Sequence, residues 1–199
     1  MKFYKIISII LNPIVIPTIG VLLYFIFLPN IFSSQQRLTV LGLIFTTTYL
    51  VPLLTLLLFK RLKLIKSFKV ESIRERKIPL GIMTILFYFL ANTLKGIPNL
   101  SDLGLLFDAT TLSLVIVYIL FAFKVKISIH LGSLGIITGF FFVIDSLYTQ
   151  NLGIVIIGAF LLSGLLASAR LHLKAHKQTE VYLGFVIGFI SPIIVFCFL

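Results

Sequence analysis

Residues 167–188 read ASARLHLKAHKQTEVYLGFVIG and hold Arg170, His172, Lys174, His176, Lys177 and Glu180 between two strongly apolar runs. A polar break flanked by runs long enough to cross a bilayer reads as a surface loop joining two membrane-spanning helices. Charged and imidazole side chains near membrane depth are expensive, so their default reading is functional. The spacing is also specific. Five residues separate Arg170 from His176, and Glu180 follows His176 by four, so on a helix the carboxylate and imidazole share one face. A carboxylate in that position can hold the ring in one tautomer and leave the other nitrogen free to attack.

The rest of the chain has the same character. Of 199 residues, 59% are hydrophobic, more apolar surface than a soluble domain can hide. Seven apolar segments are long enough, or nearly so, to span the membrane: 4–27, 38–59, 78–94, 103–123, 127–147, 152–169 and 181–199. Their continuous apolar character lacks the alternation of a membrane barrel, so the expected fold is all-α, a polytopic transmembrane bundle of about seven helices in one domain. The first segment reads as a retained helix rather than a cleaved signal. Its Asn12, Pro13 and Pro17 predict a kink or a re-entrant turn. Gly184 and Gly188 form a GxxxG suited to tight packing, within one chain or between chains of a homo-oligomer. The single cysteine, Cys197, excludes a disulfide within the chain.

The formal net charge is +11, but the basic residues cluster between apolar runs, as membrane-flanking charges do, which argues against a nucleic-acid partner. Counting helices from the N-terminus puts 15 of the 17 Lys and Arg on one side, leaving Arg37 and Lys95 on the other. The positive-inside rule makes the rich side cytoplasmic and the host a cell inner membrane. Residues 60–77 are the most charged stretch and read as a juxtamembrane or interfacial amphipathic segment. Asp108 and Asp145 fall towards the opposite side and read as helix-end or partner contacts.

The cytoplasmic side also collects the chemistry. His130, His172 and His176 all fall there, facing the densest Arg/Lys loop. Imidazoles beside fixed cations suit phosphoryl transfer: cations neutralise the phosphate oxygens, one histidine attacks phosphorus, and another protonates the leaving alkoxide.

In order along the chain, three loops resemble the three motifs of the type 2 phosphatidic acid phosphatase superfamily of membrane lipid phosphatases. Lys69 and Arg76 in KVESIRER carry the spacing of the first motif, with Lys77 in place of the following proline. Ser128 and His130 in KISIH match the second, with Ile127 and Ile129 in place of its proline and glycine. Arg170, His176 and Glu180 match the third, with Ala169 for its serine and glutamate for its aspartate. The resemblance covers residues 38–199 as a six-helix core and leaves 1–37 as an N-terminal helix and loop.

The resemblance implies a metal-independent lipid phosphatase without a cofactor. His176 would be the nucleophile, Glu180 its orienting partner and His130 the general acid. Lys69, Arg76, Ser128 and Arg170 would bind the phosphate. The implied substrate is a phosphomonoester or pyrophosphate on a lipid anchor, reached from the surrounding membrane lipids. The alternative is a non-catalytic member of the same fold that binds phospholipid head groups. Two other readings come from the residues themselves. His172, His176 and Glu180, spaced i, i+4, i+8, could ligate zinc on one continuous helix, and His130 with His176 could face one another across a haem.

Overall fold

The computed structural model describes residues 2–28, 32–65, 72–148 and 151–198, the side chain of Arg74 apart. Among them the secondary structure is helical throughout: α1 (Lys2–Ile10), α2 (Ile16–Phe27), α3 (Ser34–Phe45), a π-helical turn (Thr46–Leu50), α4 (Val51–Arg61), α5 (Ile73–Lys95), α6 (Ser101–Ala122), α7 (Ile129–Tyr148), α8 (Gly153–His172) and α9 (Gln178–Phe198). Six helical stretches are long and apolar enough to cross a membrane, the first being the unbroken Ser34–Arg61. Large apolar side chains such as Ile154, Leu161 and Phe160 point outward. That is the surface of a protein whose solvent is lipid, and in lipid the helices associate by close packing.

The first apolar segment is divided into α1 and α2, each too short to span alone. The cause is local. Asn12 Oδ1 accepts a hydrogen bond from Ile14 N at 3.1 Å, closing a turn that competes with the helix. Pro13 in that turn has no N–H to donate, and Pro17 sits in the first turn of α2, where its missing N–H costs nothing. The segment nevertheless packs into the core through Ile7, Leu11, Ile16 and Val21.

Pro52 explains the π turn. Its ring would clash with the carbonyl four residues back, that of Thr48. The backbone widens instead, with Val51 N bonding to Thr46 O five residues behind. A capping box at Ser33 starts this rod: Ser33 Oγ accepts from Gln36 N, and Gln36 Oε1 accepts from Ser33 N.

Helices α4, α6 and α8 end in the same way. Each closes with a bond from the residue three beyond the helix end to a carbonyl five residues back: Leu64 N to Phe59 O, Val125 N to Leu120 O, and Ala175 N to Arg170 O. This is the Schellman geometry, and its left-handed position is filled by Lys63, Lys124 and Lys174, with φ of 58°, 60° and 52°. The chain therefore turns sharply at every one of these ends, and α8 stops at His172.

The expected GxxxG is used within the chain. A Cβ at Gly188 would strike the carbonyl oxygen of Gly132, and one at Gly135 or Gly139 would strike the carbonyls of Phe185 or Phe189. Helices α7 and α9 are thus in backbone contact along a glycine seam, the closest helix pair in the bundle. The seam is locked at one end by Ser128 N donating to Glu180 O at 3.0 Å. That lock sets His130, at the start of α7, beside the loop that carries His176.

At the opposite end Asp102 accepts from Tyr24 at 2.8 Å and from Tyr148 at 3.0 Å, Lys95 pairs with Asp108 at 2.7 Å, and Asp145 accepts from Leu152 N at 2.6 Å. Asp108 and Asp145 therefore hold helix ends together, as their positions in the sequence lead one to expect.

Candidate active site

Arg76, His130, Arg170 and His176 arrive from four separate places and line one cavity of about 260 Å3. Arg76 lies in the first turns of α5, which starts early because Ser72 caps it, its Oγ accepting from Glu75 N at 3.2 Å. The helix thus begins inside the charged stretch expected to lie at the interface. His130 is the second residue of α7, and Arg170 lies in the last turn of α8. His176 sits in the short turn between α8 and α9 and is only 8% exposed.

Glu180, in the first turn of α9, lies behind His176, with Oε2 at 2.6 Å from Nδ1. The Glu180 carboxylate can accept only, so Nδ1 carries the proton, and Nε2 keeps its lone pair. Burial pushes the His176 imidazole down, to about 4, against the opposing pull of its bond to Glu180. Arg170, Lys126 and Arg76 add like-charge repulsion in the same downward direction. The ring is therefore neutral near pH 7, the form that can act as a nucleophile.

Arg170 is held from one side. Its Nη1 donates to Ser8 Oγ at 2.9 Å, while its Nε is buried with no hydrogen-bond partner. A buried charged donor left unsatisfied costs about 1–3 kcal/mol or more, which an anion in the cavity would offset. Ser128 is fully buried, and its hydroxyl also has no partner. It faces a second, smaller cavity of about 60 Å3 rather than lining the larger one. Ile129, at the position of the motif glycine, lines both. Lys69 lies outside the described residues.

The cavity has two characters. Its polar end holds the two arginines, the two histidines and Asn12, and its further lining includes Pro52, Thr55 and Leu56 of α4 with Pro79, Met83 and Phe87 of α5. Helices α4 and α5 touch only sparsely.

His172 is not among these residues. Its ring packs on Tyr4 of α1 with centroids 4.2 Å apart. Because α8 stops at His172 and α9 starts at Gln178, His172, His176 and Glu180 share no helix, so the zinc reading loses its common face. Among the described residues no group of three His, Cys, Asp or Glu is arranged to hold a metal.

Three contributors escaped the sequence reading. Ser8 holds Arg170, Asn12 lines the cavity, and Lys126 Nζ donates to Ala175 O at 3.3 Å, steadying the His176 turn. The available signal was small: Ser8 and Asn12 are the only polar side chains between Lys5 and Thr18, and they are one helical turn apart. No known protein family, curated protein or solved structure matches the chain.

Proposed function

We propose that the protein is a membrane lipid phosphatase that hydrolyses a lipid phosphomonoester or pyrophosphate through a phosphohistidine. The observation that carries this reading is the convergence of Arg76, His130, Arg170 and His176 on one cavity, with Glu180 bonded to the far nitrogen of the His176 ring.

In the first step His176 Nε2 attacks phosphorus, and the bond from phosphorus to the lipid oxygen breaks. His130, protonated once the phosphate dianion occupies the cavity, gives that proton to the departing oxygen. Arg76 and Arg170 neutralise the phosphoryl oxygens as charge moves onto them. In the second step water attacks the phosphohistidine, His130 takes the proton of that water, and inorganic phosphate leaves with His176 restored. The apolar walls on α4 and α5 suit a substrate whose tail stays in the bilayer, and the excess of Lys and Arg on the cavity side supports a cytoplasmic-facing site.

The test is phosphate release by the purified protein in detergent from a panel of phosphatidate, phosphatidylglycerophosphate and polyprenyl phosphates and pyrophosphates. Turnover should survive EDTA and fall by about 10^3-fold or more in His176→Ala. Turnover abolished by EDTA, or unchanged in His176→Ala, would sink the reading. Ile129 in place of the flexible motif glycine favours a second reading, a phospholipid-binding protein without turnover. It would bind the same lipids and release no phosphate from any of them.

A further inference from the structure

The resemblance stops short of the N-terminal segment, yet that segment touches the site at two points. Ser8 is buried on α1, and its Oγ accepts from Arg170 Nη1 at 2.9 Å. One turn later the chain leaves the helix at Asn12, which lines the cavity beside Pro13 and Ile14. Asn12 Oδ1 is committed to Ile14 N at 3.1 Å, so the group this side chain has left to offer is its NH2, a two-proton donor.

These contacts are unlike ordinary packing. An arginine on a helix end has many rotamers, and ordering it costs side-chain entropy. Ser8 fixes one end of the guanidinium and leaves the rest, including the unpartnered Nε, to the cavity. The helix break at Asn12 likewise brings its side chain to the lining of the cavity.

We propose that the turn between α1 and α2 is a working wall of the phosphate site, with Ser8 the positioning residue for Arg170 and Asn12 a donor to the phosphoryl oxygens of the substrate. This rests on the phosphatase reading for its ligand, a tetrahedral oxyanion on a lipid.

The experiment measures binding rather than turnover, using orthovanadate and inorganic phosphate as probes, by calorimetry on the full-length protein in detergent. Wild type should bind vanadate. Ser8→Ala should weaken that binding about tenfold, the worth of one charge-assisted hydrogen bond. Ser8→Thr keeps the hydroxyl and should restore it to within about threefold on the same argument. In an Arg170→Ala background Ser8→Ala should do nothing further, because the two act as one unit. Asn12→Asp keeps the acceptor for Ile14 N and the shape of the turn, but replaces the donors with a negative charge. It should lose at least about tenfold by like-charge repulsion, with an unchanged melting temperature.

A Ser8→Ala protein that binds like wild type, or whose deficit persists undiminished without Arg170, overturns the role of Ser8. An Asn12→Asp protein that binds like wild type overturns the role of Asn12, and it carries the test alone should Ser8→Ala not fold. A wild type that binds neither probe is a different result: it overturns the phosphate site itself, and this proposal with it.

Discussion

The two ends of the bundle handle charge in opposite ways. Away from the cavity, all three aspartates of the chain meet donors from within it: Asp102 takes Tyr24 and Tyr148, Asp108 takes Lys95, and Asp145 takes the backbone of Leu152. At the cavity end Arg76 and Arg170 line the cavity with two histidines, and Glu180 is bonded to His176. The first arrangement is closed and needs no outside partner, as buried polar groups in a stable fold should be. The second keeps a buried donor on Arg170 unsatisfied. A fold tolerates such a deficit where a ligand is meant to correct it.

The contrast extends to the turns. The left-handed positions at the cavity end are the lysines that close α4, α6 and α8, whereas at the far end they are Asn99 and Asn151. Asparagine enters that conformation readily because its short side chain bonds locally, and lysine gains nothing of the kind. Lysine at these sites is accounted for by charge, which favours a helix C-terminus.

The comparison can be broken most forcefully at the seam that joins the two ends. Gly188→Leu drives a side chain into the backbone of α7 and should cost about 3 kcal/mol, with loss of turnover because His130 shifts against His176. Thermal unfolding in detergent reads the first effect and phosphate release the second. A Gly188→Leu protein as stable as wild type would mean that the seam does not hold the site.

The next largest effect is in acid. The folded protein holds His176 neutral down to about 4, against about 6.5 unfolded, so its contribution to stability is present above pH 6.5 and lost as pH falls through about 4. With only three histidines in the chain, carbon-13 labelling of the rings resolves each titration by NMR. A midpoint near 6.5 for His176 would remove its burial from the account.

Asp102→Asn tests the closed end. It should lower stability by about 1–2 kcal/mol while phosphate release stays within twofold of wild type, since nothing in the cavity touches Asp102. An equal loss of activity would show that the two ends are coupled. Smallest of all, Lys124→Asn should raise stability by about 0.5–1 kcal/mol by relieving the left-handed turn.

How much of this was legible beforehand varies with the range of the interaction. His176 and Glu180 were paired from their i, i+4 spacing, and they meet even though His176 stands in the turn just before α9 rather than on the helix. The bundle followed from apolar run length, and the break near Asn12 followed from two prolines. Helix ends were less legible. Segment 152–169 continues to His172 and segment 78–94 begins at Ile73, because caps rather than hydropathy decide where a helix stops. The partnership of Ser8 with Arg170 spans 162 residues, and no local pattern announces it.

The amino-acid sequence by itself therefore determined a helical membrane protein, its charge asymmetry and the local pair at its candidate nucleophile. Each rests on a requirement met within one segment: backbone satisfied in lipid, cations kept on one face, neighbours one turn apart. Only the tertiary structure decided that Arg76, His130, Arg170 and His176 share a cavity, that the N-terminal turn is one of its walls, and that Ser128 faces elsewhere. Those outcomes depend on how closely helices approach, and that distance is set by the absence of side chains along the glycine seam.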